Sequence, residues 1–172
     1  MSKDSSLDPG ASSHPKRDLD TRAEIHDLVV RFYREIVFDD LLEPVFGEVA
    51  EVDWPVHIPK LIDYWCRVLL RQPGYDGFIL GAHQRVHELE PFRVELFDRW
   101  YNLFVETVDE GWAGPFAESA KRHAARTATV LARHLLDLEW EVPSVLSRES
   151  ARDSADLAPR MPGLHEDLEP SG

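Results

Sequence analysis

Two histidines stand four residues apart in the stretch GAHQRVHELEPF, at His83 and His87, in a chain that has 8 histidines among 172 residues. On a helix this spacing brings both imidazoles to one face, where they could bind a transition metal together. The spacing specifies no third ligand, so each could equally be a solvated side chain or a single axial ligand. The rest of the sequence has to distinguish these roles.

Three further side chains combine a polar edge with a place on the apolar side of a predicted helix: Tyr33, His57 and Trp100. A hydroxyl, an imidazole or an indole N–H that is buried costs free energy unless it finds a partner. Trp100 lies thirteen residues after His87, on the core face of the next long helix. A pocket that holds a ligand explains these three inward-facing polar groups better than a simple core does.

The common enzyme signatures are absent: the chain has no GxGxxG, GxxxxGK[ST], GxSxG or HExxH. The acidic residues are scattered over predicted solvent faces and suggest no acid/base pair. Cys66 is the single cysteine, which rules out an intramolecular disulfide framework and fits a reducing compartment. It lies beside Trp65 on an apolar helix and is predicted to be a buried structural thiol.

Charge and hydropathy narrow the possible partners and the location. The net charge of −13 argues against nucleic acid or an anionic membrane surface, since both require a basic face. No run of about 18 apolar residues could span a membrane, and the N-terminal residues have no apolar segment of the kind a secretory signal needs. We therefore expect a cytoplasmic protein.

The apolar periodicity is helical almost throughout, which predicts an all-α fold. The first helix begins at a cap supplied by Asp20 or Thr21 and ends before FDDLLEPVFGE, a connection that contains Phe46. The later helices are predicted at about 59–70, 79–89, 93–109 and 115–139. Polar, Pro-containing stretches at 1–20 and 142–172 are predicted to be disordered tails, which leaves one folded domain at 21–141.

The chain resembles the truncated haemoglobins, and most closely their third group, over about 115 residues. Three segments carry the resemblance: FYREIVFDDLLEPVF, VDWPVHIPKLIDYWCRVLL and HELEPFRVELFDRWYNLF. ETVDEGWAGPFAESAKRHAARTA is similar to the terminal helix of that family. The glycine pairs typical of the first group are missing. The resemblance implies a truncated globin fold, a two-over-two helical sandwich around a haem.

The resemblance also implies a cofactor and roles for the residues named above. A b-type haem would have its iron bound by one imidazole, which leaves a sixth coordination position for O2, NO, CO or peroxide. His87 is favoured as that ligand over His83, because its spacing to Trp100 and the following Pro-Phe fit the family better; His83 would then be exposed or near a haem propionate. The resemblance gives roles to five further residues. Tyr33 and Trp100 would donate hydrogen bonds to the bound ligand, and His57 would be a third donor or a gate. Phe46 would pack on the edge of the haem, and Leu61 would lie above the bound ligand.

A pocket with several donors predicts slow release of oxygen, which suits chemistry on a bound ligand more than oxygen delivery. The leading hypothesis is redox chemistry, either dioxygenation of NO or reduction of peroxide, with a partner reductase. The alternatives are a non-catalytic O2 or NO sensor or scavenger, and a haem-free helical adaptor.

Overall fold

The computed structural model describes residues 15–143. These residues form five α-helices and one π-helical turn: α1 Arg22–Val37, the turn Pro44–Val49, α2 Trp54–Leu70, α3 Ile79–Leu89, α4 Val94–Gly111 and α5 Pro115–Leu136. Within this range there is no strand, and the only β-type pairing is an isolated bridge between Arg17 and Trp112. The prediction of an all-α fold is therefore confirmed.

The helices pack as two pairs, α1 with α2 and α4 with α5, and the pairs meet mainly through α1 and α4. The apolar stripe predicted on α1 faces this junction, where Ile25, Leu28 and Ile36 have no exposed surface. Small side chains on the inner face of α5, among them Ala120 and Ala124, are also fully buried. They let the backbone of α5 approach α4 closely, which supports the predicted two-over-two arrangement.

The segment before α1 belongs to the packed structure from residue 15 onward, although the sequence predicted a tail as far as residue 20. Leu19 is fully buried. The Asp18 carboxylate accepts hydrogen bonds from the backbone N–H groups of Phe116 at 3.0 Å and Ala117 at 2.8 Å, which caps the start of α5. Gly114, with φ of 134°, leaves room for this cap, since an added Cβ would lie 2.5 Å from an Asp18 oxygen.

Two predicted boundaries differ from the structure. α2 begins at Trp54, five residues before the predicted start, because Asp53 caps it and accepts the Val56 N–H at 3.4 Å. Pro59 therefore lies inside the helix, not at its entry. The connection after α1 is also more regular than predicted, since it contains the π-helical turn.

The other helix predictions agree closely with the structure. α3 has the predicted bounds, and Thr21 is the cap of α1, accepting the Glu24 N–H at 3.3 Å. No helix of the described part of the chain is long and apolar enough to cross a membrane. The parts of the predicted tails at 1–14 and 144–172 lie outside the described residues.

Candidate functional site

Tyr33 lies on the buried side of α1, where its ring is surrounded by aromatic groups. The ring centroids of Phe32 and Trp54 lie 5.0 and 5.7 Å from it, and those of Phe46 and His57 lie at 6.1 and 6.3 Å. Tyr33 is only 7% exposed, and burial raises the pKa of its hydroxyl. None of the hydrogen bonds among residues 15–143 involves that hydroxyl. A hydroxyl without a protein partner on a mostly buried side chain is available to a bound ligand.

Trp100 reaches the same region from α4. Its ring lies 5.7 Å from Phe32, which also contacts Tyr33. Two other tryptophans, Trp112 and Trp140, donate their indole N–H to carboxylates at 2.7 and 2.8 Å, whereas no described residue accepts the indole proton of Trp100. The half-buried Trp100 therefore keeps a hydrogen-bond donor for a bound ligand.

His57 completes this group from the first turns of α2. It is half-buried, and its ring lies 6.2 Å from Trp54. Burial lowers the pKa of His57, and the charges of Lys60 and His83 lower it further. The imidazole is therefore neutral at pH 7 and offers one donor and one acceptor nitrogen. The structure thus places Tyr33 beside His57, and Phe32 lies between Tyr33 and Trp100.

His83 and His87 differ in how each uses its ring nitrogens. His83 Nδ1 lies 2.9 Å from the Ile79 carbonyl oxygen. A carbonyl only accepts, so this nitrogen carries the proton and Nε2 keeps its lone pair, which is the tautomer that an iron ligand requires. His87 Nδ1 accepts the backbone N–H of Phe92 at 2.9 Å. The neutral His87 ring then carries its proton on Nε2, which leaves no lone pair there for a metal.

The surroundings of the two histidines also differ. Burial lowers the pKa of His83, although its hydrogen bond to Ile79 opposes this effect. His83 also lies close enough to His57 to affect its pKa. It is half-buried, where the sequence led us to expect an exposed position or one beside a propionate. In packing the two are alike, since both are half-buried and both rings lie against Phe92, His83 at 6.4 Å and His87 at 5.6 Å; the prediction of His87 as axial ligand stays a prediction.

α3 is the least buried helix of the fold, and this suits a large apolar cofactor. None of its residues is fully buried, although it carries Ile79, Leu80 and Val86. Phe46 and Leu61, the residues predicted to contact the haem, are likewise only half-buried against the core. Apolar surface left partly uncovered on facing elements is typical of a ligand site. These residues and the available Nε2 of His83 fit a haem.

A site for a bare metal ion fits less well. Among residues 15–143, no group of three or more His, Cys, Asp or Glu side chains is placed to hold a metal ion. A pair of histidines on α3 would therefore have to bind such an ion without a third protein ligand from this part of the chain.

Comparison with known proteins gives one similar sequence and one similar solved structure. No family model matches the chain. The group 3 truncated hemoglobin ctb of Campylobacter jejuni is 27% identical over 120 residues, which are 68% of this chain and 89% of that protein. The crystal structure of group III truncated hemoglobin from Campylobacter jejuni superposes with a TM-score of 0.62 at 26% identity, covering 70% of this chain and 94% of the other.

The fold is that of a truncated globin, and its relatives support a globin haem protein. Within that class, the predicted resemblance to the third group of truncated haemoglobins is confirmed. The similarity covers about two thirds of the chain, and it does not assign a role to any individual side chain.

The sequence missed one polar pair. His123 was not among the candidate residues selected from the sequence, yet it lies half-buried on α5 with its Nε2 2.5 Å from the Tyr64 hydroxyl on α2. The available signal was weak: Tyr64 and His123 both lie beside apolar positions of their helices, but no spacing relates residues so far apart in the chain.

Proposed function

We propose that this chain binds a b-type haem in the space bounded by Tyr33, His57, Trp100 and α3, and that it binds O2, NO, CO or peroxide there. The observation that carries the proposal is the mostly buried Tyr33 side chain, whose hydroxyl has no hydrogen-bond partner among the described residues and whose ring centroid lies 6.3 Å from that of His57. Such a hydroxyl is free to donate a hydrogen bond when a polar ligand enters.

The available Nε2 of His83 leads us to propose His83 as the axial ligand, with His87, which the sequence favoured, as the alternative that the experiment below tests. The Ile79 carbonyl fixes the His83 tautomer and orients its ring, as outer partners of metal-bound histidines do. His87 is the alternative, and it would have to break its hydrogen bond with Phe92 and change tautomer. When bound, haem would supply an iron centre able to bind diatomic gases and exchange electrons.

The other residues act on the ligand. Tyr33 and Trp100 donate hydrogen bonds to negative charge that develops on it, and the neutral His57 adds a third donor or controls entry. Donors held in a dry pocket slow ligand release. This property favours redox chemistry, either NO dioxygenation or peroxide reduction supported by a reductase, over oxygen delivery. Phe46 and Leu61 limit the access of water to the site.

Titration of the purified full-length chain with haemin tests the cofactor. We expect a Soret band that saturates at one haem per chain and a ferrous five-coordinate spectrum. His83→Ala should lose this spectrum, and His87→Ala serves as the matched control because it removes an imidazole one turn away on the same helix. The reverse result would assign the iron to His87. A wild-type chain that binds no haem would refute the proposal and favour a haem-free adaptor.

Stopped-flow mixing of the oxygenated haem protein with NO tests the chemistry. Rapid production of nitrate, with turnover restored by a reductase, would support dioxygenation. Rapid peroxide consumption without NO turnover would assign peroxide reduction. If neither reaction proceeds faster than with free haem, the protein is a sensor or scavenger.

A further inference from the structure

A line of aromatic rings runs from the candidate site through the core to the opposite side of α2. Trp100 stacks on Phe104 at 5.7 Å with an interplanar angle of 12°, and Phe104 stacks on Trp65 at 5.0 Å and 14°. Trp65 then meets Tyr64 edge-on at 5.4 Å. Phe104 and Trp65 are 1% and 4% exposed, so the inner part of this line is dry. Electron transfer between two aromatic rings is much faster when the rings are in van der Waals contact than when they are separated.

The outer end of the line carries a proton acceptor. The Tyr64 hydroxyl lies 2.5 Å from His123 Nε2. Burial lowers the pKa of His123, so its imidazole is neutral, and in the tautomer with the proton on Nδ1 its Nε2 accepts the hydroxyl proton; Thr127 Oγ1 lies 3.4 Å from the same hydroxyl. A neutral histidine in this position is a base for the phenol, which loses its proton when it is oxidised. Core packing requires stacked rings, but it does not require a base at the end of the stack.

We propose that Tyr64 and His123 form a proton-coupled redox site, and that electrons pass from it through Trp65 to Trp100, with the Phe104 ring bridging the two indoles without being oxidised itself. The role of this relay rests on the proposed function, because it would deliver electrons from the protein surface to an oxidant that reacts beside Trp100. The relay itself consists only of side chains of this chain.

The chemistry balances for hydrogen peroxide as the oxidant. Peroxide takes up two electrons, one from each passage through Tyr64, and two protons from the solvent to give two waters. Tyr64 then becomes a neutral phenoxyl radical, and its proton moves to His123 Nε2 to give an imidazolium. A one-electron reductant at the surface returns the electron to Tyr64, and His123 gives the proton back.

A small anionic reductant fits the surface at this end. A cavity of about 230 Å³ beside the pair of Tyr64 and His123 is lined by His123, Arg122 and Arg126, together with Val68, Leu69 and Ser119. Two guanidinium groups one turn apart on α5 attract an anion locally, although the chain as a whole is strongly acidic. An enediolate such as ascorbate has the required charge and reducing chemistry.

Pulse radiolysis of the full-length chain tests the relay without depending on haem. Azidyl radicals oxidise tryptophan, and we expect the tryptophan radical signal to decay as a phenoxyl signal grows, at a rate independent of protein concentration. Tyr64→Phe should remove most of this phenoxyl signal while keeping the ring. The matched control is Tyr101→Phe, since Tyr101 also packs on a tryptophan, Trp140, at 5.4 Å, and it should keep the signal.

A second variant tests the proton acceptor. His123→Gln keeps a hydrogen-bond acceptor but cannot take up the proton, so the phenoxyl signal should grow about a hundredfold more slowly, the low end of what a positioned base contributes. Added ascorbate should quench the phenoxyl radical, and Arg126→Gln should slow that quenching several-fold. Unchanged circular dichroism would show that each variant is folded.

The results separate this inference from the proposed function. A full phenoxyl signal in Tyr64→Phe, or growth in His123→Gln at the wild-type rate, would overturn the relay whether or not haem binds. Freeze-quench electron paramagnetic resonance of the haem-loaded chain after peroxide addition should show a phenoxyl radical that Tyr64→Phe lacks. Its presence in that variant would equally overturn the assignment. Failure to bind haem would refute only the proposed function.

Discussion

Removal of a single oxygen atom from Tyr33 tests the candidate ligand pocket most directly. In Tyr33→Phe the ring keeps its contacts with Phe32, Trp54 and His57, at centroid distances of 5.0 to 6.3 Å. The residue is 7% exposed, so the missing hydroxyl leaves a small void and no new surface. The change therefore removes a hydrogen-bond donor and little else.

The expected size of the effect follows from the burial of that donor. A hydrogen bond to a buried polar group contributes about 1–3 kcal/mol, which corresponds to a roughly 5- to 150-fold faster O2 dissociation. The raised pKa of Tyr33 keeps the hydroxyl protonated at neutral pH, so the full donor is lost. Because Trp100 and His57 share the ligand, we expect the lower part of this range, about tenfold.

The dissociation rate is measured by mixing the oxygenated haem protein with excess CO in a stopped-flow instrument. Tyr101→Phe is the matched control, since Tyr101 is also buried, at 8% exposure, but lies against Trp140, outside the pocket. An unchanged rate in Tyr33→Phe would mean that this hydroxyl does not face the ligand. Equal acceleration in both variants would mean that the effect is a general loosening of the fold.

Three further predictions concern stability. Asp18→Ala removes the cap of α5 and should lower the free energy of unfolding by about 1 kcal/mol in urea titration; no change would mean that water replaces the cap. Glu24→Ala leaves the buried indole N–H of Trp112 without its acceptor and should cost about 1–3 kcal/mol, unless thermal denaturation shows an unshifted midpoint. His123 has a lowered pKa in the folded protein. As the pH falls below about 6.5, its imidazole is therefore protonated in the unfolded chain but not in the folded one. The free energy of unfolding decreases with falling pH until the folded protein also binds that proton. His123→Gln should lose less stability than wild type between neutral and mildly acidic pH, and an identical pH profile would contradict this.

The comparison of prediction and structure is clearest in the helices. The apolar stripe of α1 and the bounds of α3 could be predicted, because local periodicity and caps act within a few residues. The start of α2 was predicted five residues late, since Pro59 resembles a helix entry although the cap is Asp53. The packed residues before α1 were predicted as a tail, because Asp18 acts on the start of α5, far away in the sequence.

Of the candidate site, too, one part could be predicted from the sequence and another could not. The types and helical positions of Tyr33, His57 and Trp100 were enough to select them as candidates, since polar edges on apolar stripes are visible in a sequence; their roles stay predictions. The choice between His83 and His87 also stays a prediction, and spacing alone carries no information on which backbone group each Nδ1 meets.

The sequence by itself determined an all-helical chain with a resemblance to truncated haemoglobins, because periodicity and short motifs are properties of neighbouring residues. Tertiary structure decided which polar atoms have partners. It left the Tyr33 hydroxyl without an acceptor among the described residues and brought Tyr64 on α2 to His123 on α5. The contact between Tyr64 and His123 joins distant parts of the chain, so it exists only once the helices have packed.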